Sequence, residues 1–240
     1  MNPFKKELTK NKNSGKYLPL LCMLYISASS STFILAYKMS YIHGILISTG
    51  IFVFPFTYFF AAVVADVYKY EFGKRLVYHG FICQAFFALS IYLLVKLPPP
   101  PNWHYQSQYT FVLEPVFWFF ISNATGVFIG SFLNVYILSK WKDLVKGKYF
   151  IIRCITSSFI GEAITSLIAD IMAFSKHMPT ADLGKLILAI YSIKMIYSIL
   201  LAYPAKFLCN KLKKIENIQE SYSPINLFPG VTRHGISKLT

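Results

Sequence analysis

The chain has 240 residues, of which 55% are hydrophobic and 14% charged, and its mean hydropathy is +0.48. Soluble domains ordinarily carry about 25% charged residues. This composition therefore excludes a soluble domain and indicates a polytopic membrane protein. The formal net charge of +14 would favour nucleic-acid binding in a soluble protein. In a membrane protein, the positions of the basic residues matter more than their sum.

Six apolar segments follow a basic tail at residues 1–16, and each is close to the ~20 residues that a helix needs to cross a bilayer. A proline run after the third segment cannot be helical and is predicted to lie outside the bilayer core. The sequence predicts an all-α integral membrane protein with one domain at 17–209 and a C-terminal tail at 210–240. The segments lie at about 17–37, 42–66, 76–97, 111–138, 150–174 and 184–208.

The basic residues predict the orientation. Nineteen of the 24 lysines and arginines fall in the two tails and in the links between segments two and three and between four and five, with their flanks. The positive-inside rule places those regions, and therefore both termini, in the cytoplasm. An even number of spans agrees with this orientation, and nucleic-acid binding is not expected.

The fifth segment combines a lipid-like side with a polar side. Ser158, Glu162, Ser166 and Asp170 follow each other at intervals of four residues, which places them on one face of a helix. A carboxylate at bilayer depth costs several kcal/mol unless it faces a partner or a wet cavity. The pattern predicts a central polar cavity enclosed by the other helices.

Glu162 and Lys194 are predicted to meet near the midplane. Glu162 lies about 17 Å along segment five and Lys194 about 15 Å along segment six, which runs in the opposite direction, at 1.5 Å per residue. We expect an ion pair or a shared ligand there. A purely structural buried pair is the alternative, although such pairs add little stability.

A charged cluster marks the end of segment two. Asp66, Glu71, Lys74 and Arg75 form either an ordinary interfacial loop or an inner gate in which Asp66 pairs with a basic residue of the neighbouring link.

The second segment itself contains Gly44, Gly50 and Pro55, which predict a bend or a break in its helix. This bend fits a packing kink and the border of a transport site equally well.

Isolated polar residues in other segments, Gln84, Asn123 and Asn134, fit interhelical hydrogen bonds or ligand contacts. The chain has no motif of a hydrolase, of a phosphate-binding loop or of a metal site, so neither an enzyme nor a bound metal or cofactor is expected.

Three ordered motifs resemble a known family. They are ADVYKYEFGKR, with Asp66, Gly73, Lys74 and Arg75; IIRCITSSFIGEAITSLIADIMAF, with Arg153, Ser157 or Ser158, and Glu162; and SIKMIYSILLAYPAKF, with Lys194 and Pro204. Together they resemble the queuosine precursor transporter family, also described as vitamin-uptake-transporter-like proteins.

The chain also departs from the family pattern. Tyr70 stands where the family has a glutamate, Glu162 where a glutamine is expected, and Asn134 and Thr165 where aspartates are expected. These exchanges leave the exact substrate and the energy coupling open.

The resemblance implies uptake of a 7-deazaguanine, such as 7-cyano-7-deazaguanine or queuine, across a bacterial inner membrane to supply tRNA modification. Glu162 can accept hydrogen bonds from the N–H donors along one edge of such a planar heterocycle, and Lys194 or Arg153 can donate to its carbonyl. Asn134, Ser158 and Asp170 complete the candidate substrate contacts. The alternative is the same fold serving another small solute, such as a vitamin or a nucleobase, and the small size of the chain is compatible with a homodimer.

Overall fold

The computed structural model describes residues 15–36, 38–42, 45–174 and 180–218. Within these ranges, six helices are long and apolar enough to cross a membrane, which confirms the predicted all-α class. A two-stranded antiparallel hairpin and a short 3-10 helix, Thr49–Phe52, separate the first two helices. The elements are α1 Leu18–Leu35, β1 Met39–Ile42, β2 Ile45–Ser48, α2 Phe54–Tyr68, α3 Tyr70–Leu94, α4 Gln106–Leu144, α5 Phe150–Phe174 and α6 Thr180–Ile215.

Helix α2 occupies the centre of the bundle and contacts α1, α3, α4 and α6. Its residues 61–65 are alanines and valines that are at most 2% exposed. Small side chains let neighbouring backbones approach closely, which is how helices associate where lipid removes the hydrophobic driving force. The outer helices instead present large apolar side chains outward, such as Phe86, Phe111 and Phe207, as lipid contact requires.

The span predicted at about 42–66 is found at 49–68, and only its second part is α-helical. The first residues of the predicted segment pair in the β-hairpin, and the helix begins only at Phe54, with Pro55 in its first turn, where proline needs no hydrogen-bonding N–H. Gly44 lies outside the described residues. Gly50 is in the 3-10 helix, where an added Cβ would lie 3.0 Å from the Thr32 carbonyl oxygen of α1. The glycine therefore permits close packing against α1 rather than a bend within a helix.

The hairpin returns the chain to the end of α1, where the last backbone carbonyls need hydrogen-bond donors. The Ser48 hydroxyl donates to the Ala36 carbonyl at 2.6 Å, and the Thr49 hydroxyl donates to the Leu35 carbonyl at 3.1 Å. Unpaired carbonyls at a helix end are costly when buried, so the returning strand caps α1.

The link predicted between segments two and three is a single residue. Lys69 has φ of 79°, a backbone conformation that interrupts the helix, and α3 begins at the next residue. Glu71, Lys74 and Arg75 therefore lie on the first turns of a helix rather than in a loop.

Helix α6 continues to Ile215, past the predicted domain boundary at residue 209, and the residue after it is fully buried. The Glu216 carboxylate accepts hydrogen bonds from the backbone N–H of Gly15 at 2.7 Å, the backbone N–H of Tyr17 at 2.9 Å and the Tyr68 hydroxyl at 2.8 Å. Helix α1 has no side-chain cap of its own at Tyr17. Glu216 supplies that cap from the other end of the chain, where a carboxylate also complements the helix dipole.

We expect Glu216→Gln to destabilise the protein by about 2–3 kcal/mol, because one acceptor oxygen becomes a donor facing other donors. Thermal unfolding in detergent, followed by size-exclusion chromatography, measures the change. Glu114→Gln is the matched control, since Glu114 forms only a half-exposed pair with Lys96 at 3.4 Å. Equal unfolding midpoints for the two variants would contradict the role of Glu216 as a cap.

Candidate functional site

The inner face of α5 is polar, as its sequence pattern predicts. Ser158 is 3% exposed, Glu162 0% and Ser166 1%, whereas Phe159 and Leu167 on the same helix are half exposed. The side chain of Asp170, the fourth residue of the pattern, lies outside the described part of the structure.

Glu162 has one satisfied and one unsatisfied oxygen. The Ser198 hydroxyl of α6 donates to its Oε1 at 2.7 Å. Its Oε2 is buried and has no hydrogen-bond partner among the described residues. A buried carboxylate oxygen without a donor is costly, so its presence calls for a functional explanation.

Lys194 faces the same region but forms no salt bridge with Glu162, so of the two predicted arrangements, an ion pair or a shared ligand, the direct ion pair is not formed in this structure. Its Nζ donates to the Ser166 hydroxyl at 2.8 Å and lies 4.7 Å from the centre of the Phe54 ring. The register of the antiparallel helices α5 and α6 sets Ser198 opposite Glu162, so Lys194 falls one turn away, opposite Ser166. Lys194 still lies close enough to attract the carboxylate electrostatically.

Asn134 of α4 adds a second open acceptor. Its side-chain Nδ2 donates to the hydroxyls of Ser157 at 3.3 Å and Ser158 at 3.2 Å. Its Oδ1 is buried and, like Glu162 Oε2, has no hydrogen-bond partner in the described ranges. Asn134 and Glu162 thus leave two acceptors open around the inner face of α5.

The backbones of α4 and α5 meet at two glycines. A Cβ added at Gly161 would lie 2.6 Å from the Gly130 carbonyl oxygen. Thr165, one turn further along α5, bonds the Tyr58 hydroxyl at 2.8 Å and donates to the Gly126 carbonyl at 3.2 Å. The crossing therefore fixes the level of Glu162 against α4.

Tyr58 and Ser198 were missed by the sequence reasoning. Ser198 follows Lys194 by four residues, a spacing that would have placed it on the same helix face. Tyr58 lies within an apolar, aromatic stretch that gives no comparable signal.

A second cluster surrounds the Asp66 carboxylate at the end of α2. Its Oδ1 accepts from Arg153 Nη2 at 3.0 Å, and its Oδ2 accepts from Lys213 Nζ at 2.6 Å. Lys142 Nζ lies 3.7 Å from Oδ1 and also donates to the Asp66 backbone carbonyl. These partners come from the end of α4, the start of α5 and the end of α6, and neither Lys74 nor the Glu71 carboxylate takes part in these contacts.

Arg153 belongs to this cluster and is not brought to Glu162, contrary to its predicted place among the substrate contacts. It is 1% exposed and donates to the carbonyls of Leu138 at 3.1 Å and Lys148 at 3.0 Å. Nine residues of helix, about 13 Å, separate it from Glu162. Its guanidinium is bound to the Leu138 carbonyl of α4 and to the Asp66 carboxylate of α2, so Arg153 links α5 to these two helices.

The predicted central cavity is not shown. One cavity, of about 440 Å³, is a groove between α3 and α4 beside Pro98, Pro99, Pro100 and Trp103, and another of about 20 Å³ lies between α1, α3 and α4. Neither is lined by Glu162 or Lys194, since the helices close around both side chains.

A bundle of six membrane-length helices is that of a multi-pass membrane protein, and a carboxylate, an ammonium and several hydroxyls buried inside it are typical of membrane transporters. The family model described as "Putative vitamin uptake transporter" matches residues 48–208, which include Asp66, Glu162 and Lys194. The chain belongs to this family, and it is a transporter rather than an enzyme. No curated protein and no solved structure gives a significant match to the chain.

Asp66→Asn is expected to destabilise the protein by about 3–5 kcal/mol, because it leaves the buried Arg153 and its neighbouring lysines without their carboxylate. The thermal unfolding midpoint in detergent measures the loss. Glu71→Gln, at the start of α3, is the control for a carboxylate outside the Asp66 contacts. A midpoint for Asp66→Asn at or above that of Glu71→Gln would show that the cluster does not hold the helix ends together.

Proposed function

We propose that this protein imports a queuosine precursor, a planar heterocycle of the 7-deazaguanine class such as 7-cyano-7-deazaguanine or queuine, for tRNA modification. One observation carries the proposal: Glu162 Oε2 is a buried acceptor with no hydrogen-bond partner among the described residues. A transported solute that brings its own donors would satisfy this oxygen for as long as it is bound.

The chemistry of the surrounding groups matches such a solute. A guanine-like edge offers two adjacent N–H donors, which a carboxylate accepts in parallel, and Asn134 Oδ1 is a further open acceptor nearby. Lys194 can leave Ser166 and donate to the ring carbonyl. Phe54, beneath the Lys194 ammonium, offers an aromatic face on which a planar ring can stack.

Access to Glu162 requires the helices to move, because its side chain is 0% exposed. The Asp66 cluster joins the ends of α2, α4 and α6 to the start of α5. We infer that it acts as the inner gate, which holds this end closed until substrate binding or release breaks its ion pairs. The Asp66→Asn variant also tests this gate role. A gate must stabilise the closed form, so a variant that loses no stability would show that the Asp66 cluster does not hold that form closed.

We place the protein in a bacterial inner membrane with both termini in the cytoplasm, on the strength of the basic residues at the end of the bundle where Asp66 and Glu216 lie. A fluorescent reporter that folds only in the cytoplasm, fused after residue 240, is expected to be bright. A phosphatase that is active only outside the cytoplasm is expected to be inactive at the same position. The opposite pair of results would reverse the orientation.

The transport proposal is tested by the queuosine content of tRNA. The host lacks both its own transporter and the synthesis of the base, expresses this chain and receives a low level of 7-cyano-7-deazaguanine or queuine. Restored queuosine is the expected result. Unmodified tRNA, with the protein shown to be in the membrane, would overturn the substrate assignment.

Glu162→Ala is expected to lower uptake at least about tenfold in the same assay, because it removes the acceptor oxygens that face the donor edge of the substrate. Glu114→Ala, the same substitution at a peripheral carboxylate, is expected to leave uptake unchanged. Normal uptake by Glu162→Ala at normal expression would remove Glu162 from the site.

A second candidate is uptake of another small solute, a vitamin or a nucleobase. The description of the matching family favours it, as do the exchanges at Tyr70, Asn134 and Thr165 relative to the queuosine precursor transporters. Growth of auxotrophic hosts on each candidate solute separates the two. Rescue by a vitamin, together with unmodified tRNA in the queuosine assay, would establish this second candidate.

A further inference from the structure

Three carboxylates are buried among the described residues, and two of them show what an ionised carboxylate requires in this fold. Asp66 has a cation on each of its oxygens. Glu216 has an N–H or O–H donor on each of its oxygens. Glu162 has one donor, the Ser198 hydroxyl on Oε1, and its Oε2 has no hydrogen-bond partner in the described ranges. Glu162 therefore lacks the partners that stabilise the other two buried carboxylates.

The charged and titratable groups around Glu162 do not replace these partners. Lys194 is the only cation of this set, and its ammonium is bound to the Ser166 hydroxyl at 2.8 Å rather than to the carboxylate. Tyrosine and cysteine ordinarily ionise only in alkaline solution, and α4 contributes the uncharged Asn134. The groups on α2, α5 and α6 that interact electrostatically with Glu162 are Tyr58, Cys154, Tyr191 and Lys194.

A proton is the simplest partner for a carboxylate in these surroundings. An isolated charge is costly to bury, and a buried acid takes up a proton when no cation or set of donors neutralises it. The Glu162 side chain is fully buried in the closed bundle, so water does not solvate its charge there. Carboxylates at membrane depth in pumps and transporters often carry protons for this reason. The empty, closed form is therefore favoured when Glu162 is protonated.

We propose that Glu162 is a proton-binding site and that the protein exchanges this proton for the solute that it transports. This inference rests on the proposed function, in which the solute brings its own N–H donors to the open oxygen. Those donors stabilise the ionised carboxylate, whereas they oppose the hydrogen of a protonated carboxyl group. Proton and solute therefore exclude each other at Glu162.

The exchange follows from where the site opens. When the solute binds, the O–H bond of the carboxyl group breaks and the proton passes to water on the side to which the site is open. When the solute leaves on the other side, the carboxylate takes up a proton from the water there. Because only one side is open at a time, one proton crosses the membrane in the direction opposite to each solute molecule. Lys194 supports the exchange, since it attracts the carboxylate that remains after the proton has left.

Infrared spectroscopy of the ligand-free, full-length protein tests the bound proton, in a detergent that has no carbonyl group. We expect the wild type to show the carbonyl stretch of a protonated carboxyl group at neutral pH. Glu162→Gln is expected to lose the intensity of one such group, because an amide cannot bind this proton. Glu114→Gln, at a half-exposed carboxylate paired with Lys96, is expected to keep the full intensity. A wild type without the band, or Glu162→Gln with all of it, would overturn the proton site.

Proteoliposomes that contain a pH-sensitive dye test the exchange. Radiolabelled 7-cyano-7-deazaguanine or queuine is added outside, and the entry of label and the pH of the lumen are followed together, with protein-free liposomes as the baseline. We expect the lumen to become more alkaline as the label enters, whichever way the protein is inserted, because each entering molecule sends a proton out. Glu162→Gln is expected to lose this alkaline shift, whereas Glu114→Gln is expected to keep it.

The outcomes separate the exchange from the proposed function. Entry of the label with an unchanged lumen pH, or with an acidified lumen, would overturn the exchange and leave the proposed function standing. If the label does not enter wild-type proteoliposomes at all, the proposed function fails and the exchange fails with it. The unfolding midpoint of each variant shows that a lost signal does not come from a protein that has failed to fold.

Discussion

The buried Asp66 carboxylate is the constraint on which the arrangement of the helices depends. Within a membrane, no hydrophobic force drives helices together, so polar contacts and close packing must do so. Asp66 accepts from Arg153 and Lys213 and lies beside Lys142, and these residues come from four different helix ends or links. Because none of these charges can be left unpaired in a medium of low dielectric, the ends stay together. Glu216 then attaches the start of α1 to the same end.

Two of the buried carboxylates, Asp66 and Glu162, differ in how fully they are paired. Asp66 has cations on both oxygens, which suits an element that holds helices in place. Glu162 has a serine on one oxygen and, among the described residues, no partner on the other. This difference fits the separate roles proposed above for them, a gate at Asp66 and substrate recognition at Glu162.

The glycine crossing of α4 and α5 connects these features. Gly130 and Gly161 allow two backbones to touch, which leaves Tyr58 and Thr165 to bond across the contact. Motion of α4 relative to α5 would therefore alter the surroundings of Glu162. A transporter needs such coupling, because the site must be exposed to one side of the membrane at a time.

The sequence by itself determined the six spans, the basic end of the bundle and the inward face of Ser158, Glu162 and Ser166, because hydropathy, charge and helical period are local properties of the chain. The tertiary structure decided the β-hairpin after α1 and the register that sets Ser198 rather than Lys194 opposite Glu162. It also decided that Arg153 pairs with Asp66 instead of lying beside Glu162. It also decided the cap that joins Glu216 to Gly15, residues 201 positions apart. Each of these depends on how distant segments pack, and packing distances are fixed by contacts that no local pattern contains.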